Sequence, residues 1–223
     1  MSTTATLDHG HDGHSDVGDD HGRDDHGHDD HGDHGGHTTA TGVSNEKLAM
    51  WVFLGSECML FGALISTYLV YKGRSVSGPT PDDIYDIPYT SVSSFVLLMS
   101  SLTMVLALSA CRRGDGRRTR IWLTTTALLG AGFIAGQVYE FTSFIREGLT
   151  IKTNLFGSSF FVLTGFHGVH VTLGILMLLA VTNLSSRGKI GKHNAEAVEI
   201  VGLYWHFVDV VWIVIFTVVY LIK

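Results

Sequence analysis

Two short stretches carry the side chains best suited to chemistry. TGFHGVHVTLG, residues 164–174, sets His167 and His170 three apart in an otherwise apolar run. YWHFVDVVW, residues 204–212, does the same for His206 and Asp209. Residues three apart share a helix face, so each stretch offers a polar pair on one side of its element. Imidazoles on two facing helices are the ligands of a bis-histidine haem, and they also suit a transported metal ion. The competing reading is structural, with histidines hydrogen-bonded between helices or to lipid head groups. A haem needs an open cavity, yet His206 stands beside Trp205 among bulky residues, and no second pair lies at a similar depth. A metal centre needs a dense ligand set such as H-E-x-x-H, and none is present. The structural reading is therefore favoured, with haem and metal transport kept beside it.

The elements that must position these residues are long and apolar. Five runs, 48–71, 92–111, 121–145, 155–183 and 198–222, each reach twenty residues or more, and a span needs roughly 20. Inside a bilayer the backbone must satisfy its own hydrogen bonds, so the runs are expected to be helices. The fold class is an all-α polytopic membrane protein, a bundle of five transmembrane helices. Glu57, Glu140, His167, His170, His206 and Asp209 lie within the runs. Ionisable groups there are functional candidates by default. At about 1.5 Å per residue, Glu57 and Asp209 fall near mid-membrane with the histidines, and Glu140 falls near the far face. A carboxyl at that depth is either neutral or hydrogen-bonded to a donor.

Residues 1–40 differ from the rest. They hold nine of the thirteen histidines, ten aspartates and one arginine, which accounts for the net charge of −6. The expected organisation is a disordered His/Asp-rich cytoplasmic tail over 1–46 and a five-helix domain over 47–223. Such a tail suits loose Zn, Ni or Cu binding, but its composition is equally that of a solvated disordered segment. The acidic start does not read as a signal peptide, so the first span is expected to direct insertion. Cys58 and Cys111 form no metal or disulfide spacing. CRRGDGRRTR, with five arginines, the segment bearing Arg187, Lys189 and Lys192, and Lys47 all fall on one side of a five-span chain. That side is expected to be the cytoplasm, with the C-terminus outside. Gly132 and Gly136, in G-x-x-x-G spacing, and Gly165 and Gly168 suggest close helix packing.

Four segments, taken together, resemble one family. SECMLFGALISTYLVY, GAGFIAGQVYEFTSFI, GFHGVHVTLG and YWHFVDVVWIVIFTVVYLI, with the loop GPTPDDIYDIP, are similar to subunit III of haem–copper terminal oxidases in its five-helix form. The resemblance covers about 47–222. It implies a subunit that carries no catalytic residue, cofactor or metal of its own, haem and copper residing in partner subunits. It implies contact with subunit I, with subunit II and a small subunit IV as further partners, bound phospholipid, and no nucleic acid. The setting implied is a bacterial or archaeal cytoplasmic membrane. The family's in-membrane acid falls on Glu57, a proton-pathway candidate. Its Q-x-x-E motif falls on Gln137 and Glu140, its two-histidine motif on His167 and His170, and its W-H-F-x-D motif on Trp205, His206 and Asp209. Seven-helix members have adjacent histidines in the last loop, where this chain has His193 alone. Arg187, Lys189 and Lys192 are the expected substitutes as lipid-phosphate partners. The function expected is support of a proton-pumping oxygen reductase, of the cytochrome c type in preference to the quinol type.

Overall fold

The computed structural model describes residues 44–72, 87–146, 155–188 and 195–221. Residues 1–43 of the expected tail, and His193, Lys189 and Lys192 of the last loop, lie outside the described residues.

Among the described residues five helices follow in order: α1 (Asn45–Lys72), α2 (Ile87–Arg112), α3 (Gly116–Arg146), α4 (Leu155–Ser186) and α5 (Ala195–Phe216). A π-helical turn, Thr217–Leu221, continues α5. All five are long and apolar enough to cross a membrane, as the apolar runs require. The helices outrun those runs because polar residues start and stop them. The Asp115 carboxylate accepts the Arg118 N–H at 3.0 Å and caps α3, five residues before the apolar run begins. Pro88 sits in the first turn of α2, where its missing N–H does no harm. Gly114, with φ of 79°, closes α2, and Gly188, with φ of 71°, closes α4; both occupy the left-handed region that glycine enters without strain.

α3 packs along α2 and α4, and α5 lies against α2, α4 and α1. α1 leans chiefly on α4 and α5 and buries only Leu54, Phe61 and Tyr68, one residue in every seven. Much of its remaining surface is exposed and apolar, Trp51, Val52, Met59, Leu69 and Val70 included, as lipid or a partner helix demands. One end of the bundle is tied by charge. Lys47 on α1 and Arg112 on α2 both reach Glu199 on α5, at 3.1 and 3.3 Å. Ser44 donates to Glu196 beside them. These bridges join the start of α1, the end of α2 and the start of α5 at one end of the bundle.

Candidate functional site

The core of the bundle is crossed by polar contacts between helices, and the candidate residues fall into three groups. The first joins α1 to α4. Nε2 of His170 lies 3.0 Å from Oε2 of Glu57. Nδ1 of the same ring lies 2.8 Å from the Phe166 carbonyl, and a carbonyl only accepts, so Nδ1 carries a hydrogen. Nε2 and the Glu57 carboxyl therefore hold one proton between them. The pair is carboxylic acid with imidazole or carboxylate with imidazolium, and its net charge is zero in both forms. Tyr204 of α5 donates to the His170 carbonyl at 3.0 Å, and Phe61 sets its ring edge on the imidazole at 5.0 Å.

The second group joins α2 to α5. The Ser101 hydroxyl donates to Oδ2 of Asp209 and meets Nδ1 of His206 at 2.9 Å. A hydroxyl has one hydrogen. With that hydrogen on Asp209, the oxygen accepts from Nδ1–H of His206. Above and below, two indoles of α5 are pinned to α2: Trp205 donates to Ser100 at 2.9 Å and Trp212 to Ser94 at 2.8 Å. Asp209 is buried, and its Oδ1 has no partner among the described residues.

The third group lies toward the C-terminal end of α3. Glu140 is buried and accepts from Thr90 at 2.6 Å and from Tyr220 at 3.1 Å. One turn away, Gln137 donates to the Thr164 carbonyl at 3.0 Å, joining α3 to α4.

His167 belongs to none of these. It is fully buried, and neither ring nitrogen has a partner among the described residues. Its ring stacks on Trp212 at 4.9 Å and meets Phe133 edge-on at 6.0 Å. The expectation of hydrogen bonds between helices describes His170 and His206 but not His167. Arg187 is exposed at the end of α4. Among the described residues, no three His, Cys, Asp or Glu side chains gather to hold a metal ion. Cys58 is exposed and Cys111 buried, both free thiols.

Sequence reasoning named the acids and histidines but missed their partners. Thr90, Ser94 and Ser101 recur on α2 at spacings of four and seven, one helix face, which is the signal that was available. Of the four glycines that the spacing singled out, Gly136 and Gly168 do face a neighbouring helix closely, a Cβ there falling 3.2 Å from the Tyr89 hydroxyl and 3.3 Å from Oε1 of Gln137. At Gly132 and Gly165 a Cβ would have nothing within 4 Å, whereas at Gly130 and Gly174 it would run into the Trp205 ring at 2.5 and 2.8 Å. The tightest approaches are of the α3 and α4 backbones to the Trp205 indole of α5.

Residues 28–223 match the family model described as cytochrome c oxidase subunit III. Cytochrome c oxidase subunit 3 of Bacillus sp. strain PS3 is 40% identical over 177 residues, covering 79% of this chain and 86% of the relative. Quinol oxidase subunit 3 of Bacillus subtilis strain 168 is 42% identical, covering 78% and 85%. Cytochrome bo(3) ubiquinol oxidase subunit 3 of Pseudomonas aeruginosa is 39% identical over 222 residues, covering 99% and 98%. With five membrane-spanning helices and a family match over most of its length, the chain belongs to the cytochrome c oxidase subunit III family.

Proposed function

We propose that this chain is the non-catalytic membrane subunit of a proton-pumping haem–copper oxygen reductase, in which it packs against subunit I and supports proton uptake there. The observation that carries the reading is the Glu57–His170 pair at 3.0 Å. It holds one exchangeable proton near mid-membrane, where an isolated charge is disfavoured, and both side chains keep slight exposure, 14% and 11%. Haem and copper belong, in this reading, to partner subunits I and II.

Lipid is the second expected ligand. Two apolar grooves flank α1, one of about 320 Å³ against α4 near Leu64 and Leu155, the other of about 390 Å³ near Met50 and Tyr204. Acyl chains suit such walls, and exposed Arg187 suits a head-group phosphate. The basic cluster at the Glu199 end supports a cytoplasmic N-terminus under the positive-inside rule.

For the electron donor, the sequence reading prefers cytochrome c. A ubiquinol donor has its own support, because the Pseudomonas ubiquinol oxidase subunit matches nearly the whole chain, tail included, while the two Bacillus subunits match under four-fifths of it. Oxygen uptake by the purified complex with reduced cytochrome c or with ubiquinol separates the two.

The role of Glu57 is tested by Glu57→Gln in the whole complex, with oxygen consumption and proton pumping followed from about pH 6 to about pH 10. The expected variant assembles with full haem content, turns over near the wild-type rate at neutral pH, and falls off earlier at high pH or over many cycles. Loss of oxygen reduction at every pH, with normal haem content, would place Glu57 on the obligatory reaction path and overturn the accessory role.

A further inference from the structure

Most hydroxyls that face outward from the spans satisfy themselves. Ser56, Ser66 and Thr67 of α1 donate to carbonyls three or four residues back at 2.7–2.8 Å, and Thr125, Thr142, Thr172 and Thr217 do the same at 2.8–2.9 Å. Such side chains can face hydrocarbon without an open hydrogen-bonding group. His206 is different. It is half-buried, eleven residues into α5, so about 16 Å from that helix's start. Its Nδ1 faces inward to Ser101. Its Nε2 is neither bonded within the described residues nor buried among them.

The inner contacts set the chemistry of that outer nitrogen. Asp209 takes the Ser101 hydrogen and Ser101 takes the Nδ1 hydrogen of His206. Nε2 of the neutral ring is then a bare acceptor. Around it α5 exposes Val210, Ile213 and Val214, and α2 exposes Leu98, Leu102 and Val105. The face is thus apolar with one acceptor at mid-membrane, where neither acyl chains nor bulk water can donate to it.

We infer that this α2/α5 face is the contact with a transmembrane helix of a partner oxidase subunit, and that this helix presents a hydrogen-bond donor (a hydroxyl, amide or indole N–H) to Nε2 of His206. The inference rests on the proposed membership of an oxidase complex and adds which face meets the partner and by what chemistry. A lipid tail would fill the apolar part of the surface but leave the nitrogen unpaired, and a second copy of this chain would have to bring a donor that its own His206 stripe lacks.

The test uses the whole complex, purified in mild detergent through an affinity tag on subunit I. A photoreactive phenylalanine analogue replaces Val210, one turn from His206, or Val169 on the outward face of α4. The expected result is a covalent adduct between this chain and a partner subunit from position 210 and not from 169. His206→Phe, which keeps an aromatic ring but removes the acceptor, is expected to weaken retention of this chain roughly three- to tenfold during detergent washing. Adducts from position 210 only with lipid, or with a second copy of this chain, overturn the inference while leaving subunit membership intact. Adducts to a partner from 169 alone do the same. Absence of this chain from the purified complex overturns membership itself, and the inference with it.

Discussion

Gly174 lies so close to the indole of Trp205 that a Cβ built on it would sit 2.8 Å from Cε3. Gly130, on the opposite helix, leaves room for the same ring, its Cβ position falling 2.5 Å from Cη2. Trp205 is fully buried and is held by its bond to Ser100, so it has little freedom to withdraw. Gly174→Ala should therefore lower stability by about 1–3 kcal/mol through overpacking, although alanine favours the helix. Gly165→Ala, where nothing lies within 4 Å, should leave stability unchanged or raise it by up to about 1 kcal/mol, since alanine's helical advantage acts there unopposed. Thermal unfolding of the purified complex compares them. Equal melting temperatures for the two variants would refute the account.

The Ser94–Trp212 bond offers a coupled pair. Ser94→Ala leaves the buried Trp212 N–H without its 2.8 Å partner, at about 1–3 kcal/mol. Trp212→Phe removes the donor and also trims the ring that stacks on His167. The double variant should be less destabilised than the sum of the singles by about 0.6 kcal/mol, the average for hydrogen bonds between membrane helices, and by no more than about 1.7 kcal/mol. A double-mutant cycle on the melting temperature gives the coupling directly. Strict additivity would mean that the bond adds nothing to the packing.

Residues 2–40 should be dispensable for assembly. They hold nine histidines and ten aspartates with few apolar side chains. Burial on the bundle could not offset an ordering entropy of about 1–2 kcal/mol per residue. Deleting them should leave oxidase yield and turnover near wild type in metal-replete medium. A complex that no longer assembles would assign the tail a docking role.

The spans were legible because bilayer thickness imposes a length that no soluble helix must meet. Their ends moved by up to about five residues, most at the starts of α2 and α3, where Pro88 and the Asp115 cap extend the helix beyond the apolar run. That Glu57 and His170 share a level was legible from rise per residue alone. Which neighbour each would meet was not. These helices are apolar nearly all round, so periodicity does not mark the face that packs inward. Glu57 could as well have faced the Asp209 helix as His170. The same ambiguity hid the Ser94 and Ser101 contacts and led to Gly132 in place of Gly130, two residues away on the same apolar helix.

His167 provides the sharpest contrast between a polar name and an apolar place. The ring is fully enclosed, stacked on Trp212 and edged by Phe133 and Phe61. Its two nitrogens have no partner among the described residues. An unpaired buried polar group carries a penalty of about 1–3 kcal/mol, and replacing it by an apolar group of the same shape relieves that penalty. His167→Phe adds modest volume to a tight site, which works the other way by a similar amount. The two effects should nearly cancel, leaving the melting temperature of the complex within a few degrees of wild type. His167→Ala keeps neither the stack nor the filled volume and should cost about 3–5 kcal/mol, the range for an excised buried ring. If Phe is as damaging as Ala, the nitrogens are doing what the ring alone does not, and an internal water bonded to one of them becomes the better account. Exchange-sensitive histidine signals in an infrared difference spectrum of the wild-type complex, absent in His167→Phe, would then identify that water's contact.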